Sequence, residues 1–247
     1  MGAKPLKSLG QNFLIDDQVI SRIVGFPKID YSKKIYEIGP GLGSLTREVY
    51  DKQGLLPTLI ELDRSFAKYW SDEGYQVYNL DALKFDWSLV DTPSVLISNL
   101  PYQISSRLIL DLFVKEPPFE QMILMFQKEV GQRLRALPED KKTYGLTSVV
   151  AQLNWSMETV TNVSPSAFFP RPEVESQVLF FSKKPDVISD KRAFLNYLKK
   201  VFNSRRKKMK STLKEAAGLS GAVDELLQRR PDALSPSEHL DLFKKTL

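Results

Sequence analysis

The 247-residue sequence contains no cysteine and a single histidine, His239. Without cysteine the chain forms no disulfide, no cysteine-based zinc or iron–sulfur site and no thiolate nucleophile. One histidine argues against a histidine metal site and against a serine–histidine pair, so we expect no bound metal and place His239 at the surface. The composition thus favours chemistry that depends on neither residue.

Long apolar runs are also missing, since no stretch approaches the roughly 20 apolar residues that a membrane span requires. The first ten residues carry two lysines but no apolar segment of a secretory signal, which predicts a cytoplasmic protein. Hydrophobic residues make up 42% of the chain, enough for a substantial core. The length fits one large domain, or one domain with a small appendage.

The net charge of +5 is distributed unevenly along the chain. From Lys183 to the C-terminus there are 16 Lys and Arg residues and 8 Asp and Glu residues, so this part carries +8 and the preceding part −3. A mildly acidic body joined to a basic C-terminal region indicates a polyanionic partner.

Short apolar runs, each followed by a turn and a helical pattern, predict four strands of a doubly wound α/β sheet: 34–38, 58–60, 76–80 and 94–98. Beyond residue 184 the apolar residues recur at helical spacing, which predicts a small all-α domain. We therefore divide the chain into a catalytic domain, residues 1–184, and a helical basic domain, residues 185–247.

Three predicted strands end in features suited to a nucleoside, at the sheet edge where open α/β sheets bind ligands. Gly39 and Gly41 belong to a Gly-x-Gly-x-Gly turn, which differs from the dinucleotide pattern and fits a nucleoside without a pyrophosphate. Glu61 lies about 20 residues further on, where a carboxylate accepts both hydroxyls of a ribose. Asp81 is either an acceptor for an adenine amino group or a solvated loop carboxylate.

The fourth strand is followed by Asn99-Leu100-Pro101-Tyr102. The Asn99 side chain offers an acceptor oxygen, Pro101 restricts the backbone, and Tyr102 presents a flat face for a base. These residues would hold a planar ring that carries an exocyclic amine. The alternative is an ordinary turn between a strand and a helix, in which Asn and Pro are common.

Two further segments carry candidate substrate contacts. Phe168 and Phe169 lie in a proline-rich loop, where one ring lines the cleft while the other packs inward, or both belong to the core. A basic segment in the helical region is either a solvated face or, as its charge favours, a phosphate-binding site. Its five cations are Arg205, Arg206, Lys207, Lys208 and Lys210.

The sequence resembles the ribosomal RNA adenine dimethyltransferases of the KsgA type over nearly its whole length and in the family's order. The matching motifs are Leu9-Gly10-Gln11-Asn12-Phe13-Leu14, Glu37-Ile38-Gly39-Pro40-Gly41-Leu42-Gly43-Ser44-Leu45-Thr46, Glu61-Leu62-Asp63, Asp81-Ala82-Leu83, Asn99-Leu100-Pro101-Tyr102, Gln127-Lys128-Glu129-Val130 and Phe168-Phe169-Pro170-Arg171-Pro172-Glu173-Val174-Glu175-Ser176, with the basic segment 202–213. The resemblance implies a Rossmann-like methyltransferase sheet with an antiparallel last strand and an α-helical C-terminal domain.

The resemblance also implies a reaction: dimethylation of the 6-amino groups of two adjacent adenosines in the 3′-terminal hairpin of 16S ribosomal RNA, within a small ribosomal subunit precursor. S-adenosylmethionine would be bound by Asn12, Leu14, Gly39, Glu61, Asp81 and Asn99. Acceptors at Asn99 and at the carbonyl of Leu100 or Pro101 would hold the amine, and Tyr102 and Phe168 would cover the two faces of the base. We expect a monomer.

Two other functions stay open from the sequence. A related enzyme dimethylates a large-subunit rRNA adenine and confers macrolide resistance, and it shares the core motifs; the C-terminal region and the Phe-Phe-Pro-Arg-Pro loop favour the small-subunit enzyme. The chain could instead act as a nucleic-acid-binding assembly or transcription factor. The intact set of Gly39, Glu61 and Asn99 favours catalysis.

Overall fold

The computed structural model of the chain describes residues 11–213 and 222–246. Its contacts separate two compact units, of which the first contains the residues up to Gly131 together with Ser156–Lys183. The second contains Gln132–Trp155 and the residues from Lys184 onward. The predicted boundary near residue 184 is thus also a boundary between units, whereas residues 132–155, assigned to the N-terminal domain, pack with the C-terminal helices. The division of function between the two domains stays a prediction.

The first unit is built on a mixed sheet, which in the described residues has seven strands: β2 (Lys34–Ile38), β3 (Thr58–Glu61), β4 (Val77–Asn79), β5 (Ser94–Asn99), β6 (Phe119–Gln127), β7 (Trp155–Val163) and β9 (Ser176–Lys183). Their spatial order is β4-β3-β2-β5-β6-β9-β7. The first five strands in this order are parallel, and β9 runs antiparallel to β6. The predicted fold class is confirmed. Because β2 to β5 are parallel, their carboxyl ends share one edge.

Helices alternate with the parallel strands, as the sequence predicts: α1 (Asp17–Val24), α2 (Ser44–Gln53), α3 (Arg64–Asp72), α4 (Tyr102–Lys115) and α5 (Lys128–Arg135). The side chain of Asp63 begins α3 by accepting a hydrogen bond from the Ser65 backbone nitrogen at 2.8 Å. A short 3₁₀ helix, Ala82–Lys84, follows β4. The helices cover the sheet, so the central strand β5 is buried from Ser94 to Ser98.

A two-stranded antiparallel ribbon joins the N-terminal arm to the loop before β9. It consists of β1 (Phe13–Leu14) and β8 (Phe168–Phe169). Phe13 lies opposite Phe169, and Leu14 lies opposite Phe168. Leu14 and Phe168 are each 3% exposed and belong to the main hydrophobic core. Packing of these two side chains anchors the arm to the sheet.

The second unit is helical, with α6 (Leu146–Asn154), α7 (Lys191–Asn203), α8 (Met209–Thr212), α9 (Ala222–Gln228) and α10 (Pro236–Thr246) among the described residues. Rings of α7 and α10 pack together, and the Phe194 and Phe243 ring centres lie 5.1 Å apart. Residues 213–217, whose apolar spacing predicts a further helix, lie outside the described residues apart from Leu213. No helix in the described part of the chain is long and apolar enough to cross a membrane.

The prediction that His239 lies at the surface is wrong. Its side chain is fully buried on α10. Nε2 donates a hydrogen bond to the Pro231 carbonyl oxygen at 2.9 Å, and Nδ1 accepts from the Tyr197 hydroxyl at 3.3 Å. Burial lowers the pKa of His239 to about 4. Both ring nitrogens are thus satisfied, which allows a neutral histidine to occupy the core.

Element boundaries differ from the sequence prediction most clearly around β7. The pattern of residues 144–153 predicts a helix and that of 159–163 predicts a strand. The strand instead begins four residues earlier, at Trp155, and the helix begins at Leu146. Residues 155–158 contain no β-branched side chain, so their strand signal is weak.

Candidate active site

The carboxyl ends of β2 to β5 border one cavity of about 240 Å³. Its lining includes ten of the eleven residues predicted for catalysis and cofactor binding: Asn12, Leu14, Gly39, Gly41, Glu61, Asp81, Asn99, Leu100, Pro101 and Tyr102. The eleventh, Phe168, is not part of the lining. The convergence arises because each residue ends a parallel strand or lies in the arm that β1 holds against the core.

The glycine turn after β2 requires its glycines. Gly41 and Gly43 have φ values of 52° and 84°, a region that other residues rarely adopt. A β-carbon at Gly41 would lie 2.9 Å from the Phe13 ring, and one at Gly43 would lie 2.0 Å from the Trp70 ring. The turn thus lies close beneath two aromatic side chains, and its backbone forms the floor of the cavity.

Glu61 ends β3 and is held by two backbone hydrogen bonds. Its Oε1 accepts from the Asp63 nitrogen at 2.8 Å, and its Oε2 accepts from the Gly41 nitrogen at 3.2 Å. Burial raises the pKa of Glu61, and these two hydrogen bonds oppose the increase. A carboxylate has about four acceptor positions, so two remain for the vicinal hydroxyls of a ribose.

Asp81 follows β4 and lines the cavity next to Leu80 and Ala82. Its Oδ1 accepts a hydrogen bond from the Leu83 nitrogen at 2.9 Å and so begins the short 3₁₀ helix. The other carboxylate oxygen has no hydrogen-bond partner in the described residues. The side chain therefore has a structural role and retains an acceptor for an amino group.

Asn99 ends β5 with its amide group oriented by a backbone contact. Its Nδ2 donates a hydrogen bond to the Asn12 carbonyl oxygen at 3.1 Å. This contact directs the opposite atom of the amide, Oδ1, away from Asn12. Within residues 11–213 and 222–246, Oδ1 has no hydrogen-bond partner, so it is available as an acceptor for an amine.

The next two residues differ in the availability of their carbonyl oxygens. The Pro101 carbonyl oxygen accepts a hydrogen bond from the Ile104 nitrogen at 3.1 Å, at the start of α4. No residue in the described part of the chain donates a hydrogen bond to the Leu100 carbonyl oxygen. Of the two carbonyls left open by the sequence, the Leu100 carbonyl is thus the better second acceptor.

Tyr102 is the first residue of α4, and its ring borders the cavity. Its hydroxyl lies 2.6 Å from the Ser176 hydroxyl oxygen at the start of β9. Burial raises the pKa of Tyr102. The hydrogen bond fixes the edge of the ring, which leaves a face for stacking.

The two adjacent phenylalanines of β8 lie on opposite faces of the ribbon. Phe168 is 3% exposed and packs in the core, whereas Phe169 is 59% exposed. The structure therefore does not place Phe168 at the cavity, where it was predicted to cover one face of the base. The physical reason is the pairing with β1, which places Phe168 beside Leu14, where its side chain packs in the hydrophobic core.

Glu37 is a cavity residue to which the sequence analysis assigned no role. It lies in β2, is 3% exposed, and accepts a hydrogen bond from the Thr46 hydroxyl at 2.6 Å. Burial raises its pKa to about 8, against the effect of the Thr46 hydrogen bond. The available signal was an acidic residue within the apolar run from Ile35 to Ile38, since unpaired carboxylates are seldom buried.

The family model described as "Ribosomal RNA adenine dimethylase" matches residues 3–230 of this chain. The chain belongs to this family. Among curated relatives, proteins named "Ribosomal RNA small subunit methyltransferase A" from Bdellovibrio bacteriovorus and Syntrophotalea carbinolica are each 38% identical to it. The alignments cover 99% and 98% of this chain, and 93% and 94% of the relatives. The predicted family and enzyme class are confirmed: the chain is an rRNA adenine methyltransferase.

Two solved structures agree with this fold. A dimethyladenosine transferase from Plasmodium falciparum aligns with a TM-score of 0.76 at 25% identity, over 95% of this chain and 98% of its own. The 23S rRNA methyltransferase ErmE aligns with a TM-score of 0.65 at 23% identity, over 95% of this chain and 99% of its own. The second likeness shows the fold alone.

Four of the five predicted RNA-binding cations of this rRNA adenine dimethylase lie between α7 and α8, and the fifth, Lys210, lies in α8; all five belong to the second unit. Arg205 forms an ion pair with Asp232 at 3.3 Å and is half-buried. The other four are exposed and have no ion-pair partner in the described residues: Arg206, Lys207, Lys208 and Lys210. The exposed cations fit phosphate contacts better than Arg205 does.

The part of the chain that the structure describes contains no candidate metal site. There, no group of three or more His, Asp or Glu side chains is arranged to hold a metal ion. The expectation of a metal-free enzyme stays a prediction.

Proposed function

We propose that this methyltransferase uses S-adenosylmethionine to dimethylate the 6-amino groups of two adjacent adenosines in the 3′-terminal hairpin of 16S rRNA. It would act as a cytoplasmic monomer on a precursor of the small ribosomal subunit. The observation that carries the chemistry is the pair of available acceptors at the end of β5, Asn99 Oδ1 and the Leu100 carbonyl oxygen. The near full-length relatives named small subunit methyltransferase A support the choice of rRNA.

The residues along β2 to β4 fit the nucleoside part of the cofactor. Glu61 retains acceptor positions for two ribose hydroxyls, and Asp81 retains an oxygen for the adenine amino group. Gly39 and Gly41 keep the floor of the cavity free of side chains, while Asn12 and Leu14 line it from the arm. When bound, S-adenosylmethionine supplies an activated methyl group on a sulfonium.

The acceptors at the end of β5 prepare the target amine. The lone pair of an adenine amino group is delocalised into the ring, so the amine is a poor nucleophile. In the first transfer, Asn99 Oδ1 and the Leu100 carbonyl would each accept one amino hydrogen, which localises the lone pair and directs it towards the cavity. The monomethylated amine retains one hydrogen, which one of these acceptors would hold in the second transfer. Positioning and electrostatic preorganisation then supply the rate enhancement, because the protein forms no covalent bond to the base.

Tyr102 would stack on the extruded adenine. Its ring lies one residue beyond Pro101, and the hydrogen bond to Ser176 holds it at the start of α4. An adenine stacked there lies beside the two acceptors, so one short segment provides both the hydrogen bonds and the stacking face.

The helical basic domain, residues 185–247, would bind the RNA backbone through its exposed cations, separately from the chemistry. Replacing Arg206, Lys207, Lys208 and Lys210 with Gln should weaken binding to small subunits and reduce its salt dependence, because fewer counterions are released. Replacing Lys244 and Lys245 of α10 serves as the control for a general loss of charge. An unchanged salt slope would contradict a phosphate-binding role for the segment.

The decisive experiment incubates the purified protein with S-adenosylmethionine and small ribosomal subunits that lack the adenine methylations. Mass spectrometry of nuclease fragments then locates the methyl groups. We expect dimethylation of two adjacent adenosines near the 3′ end of 16S rRNA. Modification of large-subunit rRNA alone, or binding to the subunit without methyl transfer, would contradict the proposal.

A further inference from the structure

Phe169, which pairs with the cavity residue Phe13, and Arg171, two residues further along the chain, both have exposed side chains. Phe169 is 59% exposed, and in the described residues its ring has no aromatic partner. Arg171 is also exposed, and no ion pair or hydrogen bond from the described chain holds its guanidinium. An aromatic face and an unpaired guanidinium two residues apart match the base and the phosphate of one nucleotide.

Strand pairing places Phe169 on the same face of its ribbon as the cavity residue Phe13. It lies directly opposite Phe13, and opposed residues of an antiparallel pair project from the same face. Phe13 lines the cavity and packs edge-to-face on Phe66, with ring centres 5.8 Å apart. Phe169 therefore lies on the same face as a cavity residue, and its ring is exposed to solvent.

The 170–175 loop is fixed at its far end next to the stacking residue. Ser176, directly after the loop, is fully buried and contacts the Tyr102 hydroxyl. Glu175 forms an ion pair with Lys128 at 2.5 Å, and its carbonyl oxygen accepts from the Lys128 nitrogen at 2.9 Å. The loop thus begins after Phe169, next to β1, and ends beside the residue that would stack on the target adenine.

We propose that Phe169 and Arg171 bind the nucleotide next to the target adenine, Phe169 by stacking on its base and Arg171 by contacting its phosphate. This inference rests on the proposed function and adds a recognition site for a flanking nucleotide. A methyltransferase that modifies two adjacent adenosines must hold a neighbour while the target is extruded. Glu173 lies exposed on the same loop, and its negative charge opposes a phosphate.

The test uses an RNA hairpin that carries 2-aminopurine beside the target adenosine, with unmethylated small subunits as the second substrate. Phe169→Ala should weaken hairpin binding about tenfold, within the range for loss of one base–aromatic stack, and should abolish the fluorescence quenching caused by stacking. Phe169→Tyr should keep both. Arg171→Gln should reduce the salt slope by about 0.7, and Glu173→Gln should strengthen binding.

Leu56→Ala provides the matched control, because Leu56 is 53% exposed and precedes β3 at the opposite edge of the sheet. It should leave both measurements unchanged. Equal hairpin affinity for Phe169→Ala and the wild type would overturn the inference, while wild-type methylation would still support the proposed function. Weaker binding to subunits but not to the hairpin would also overturn it, since the loop would then contact a ribosomal protein.

Discussion

Two halves of the edge formed by the carboxyl ends of the strands differ in how far their polar groups are buried and hydrogen-bonded. The cofactor half, proposed above to bind S-adenosylmethionine, comprises the carboxyl ends of β2, β3 and β4. There, Glu37 and Glu61 are buried and hydrogen-bonded within the protein. The adenine half, proposed above to bind RNA, comprises residues 99–102, Phe169 and the 170–175 loop. There, hydrogen-bond acceptors and exposed side chains remain available to a ligand. A small cofactor is bound by a preformed pocket, whereas a large RNA requires an open surface. Changes in the first half should therefore alter stability and cofactor affinity, and changes in the second should alter the reaction with RNA.

The largest effect on stability is expected at Glu37, in the cofactor half. Burial raises its pKa to about 8 in the folded chain, above its ordinary value of 4.5. The stability contributed by the neutral carboxyl is thus fully present below pH 4.5 and is lost as the pH rises through about 8. Relative to wild type, Glu37→Gln should gain on the order of 4–5 kcal/mol in free energy of unfolding across this range.

Denaturant unfolding between pH 4.5 and 9 measures this difference. Glu73→Gln, at an exposed position after α3, is the matched control and should follow the wild type at every pH. Parallel curves for Glu37→Gln and wild type would show that Glu37 does not titrate in this range. That result would contradict a protonated, buried Glu37.

Cofactor affinity should depend most on Glu61. Glu61→Ala removes the acceptor for the ribose hydroxyls and leaves two backbone amides unsatisfied, so we expect a loss of roughly 1–3 kcal/mol in binding of S-adenosylmethionine. Calorimetric titration measures the affinity, and small-subunit binding without cofactor serves as the control that should not change. Unaltered cofactor affinity would contradict the assignment of the ribose site.

The smallest separable effects are expected at Tyr102 and Ser176, in the adenine half. Tyr102→Ala removes the stacking face and should cost roughly 1–3 kcal/mol in the reaction with RNA. Tyr102→Phe and Ser176→Ala each remove only the hydroxyl contact, worth about 0.5–1.5 kcal/mol. Single-turnover methyl transfer distinguishes them. If Tyr102→Phe were as damaging as Tyr102→Ala, stacking would be the wrong role for Tyr102.

The cofactor half was largely predictable from the sequence because its signals are local. Gly41, Glu61 and Asp81 each follow a short apolar run, and parallel strands bring such positions to one edge without further information. The family resemblance added Asn12 and Leu14, which come from an arm with no local signal of its own. Glu37 escaped notice because its burial depends on the neighbours of β2 in the sheet.

The adenine half was less predictable because it depends on contacts between residues far apart in the chain. Which phenylalanine of β8 packs in the core and which is exposed is decided by pairing with β1, about 155 residues earlier. The hydrogen bond between Tyr102 and Ser176 joins residues 74 positions apart. The burial of His239 likewise required the packing of α7 against α10. A pattern in one segment cannot specify such pairings.

The most direct test of the central claim is single-turnover methylation of small subunits by Asn99→Ala, at saturating S-adenosylmethionine, beside a separate measurement of subunit binding. The variant loses the oriented acceptor, so we expect the rate of methyl transfer to fall about a hundredfold or more. Subunit binding should be unchanged, because phosphate contacts position the protein independently of the base. A wild-type rate in Asn99→Ala would contradict the assignment of this strand end as the active site.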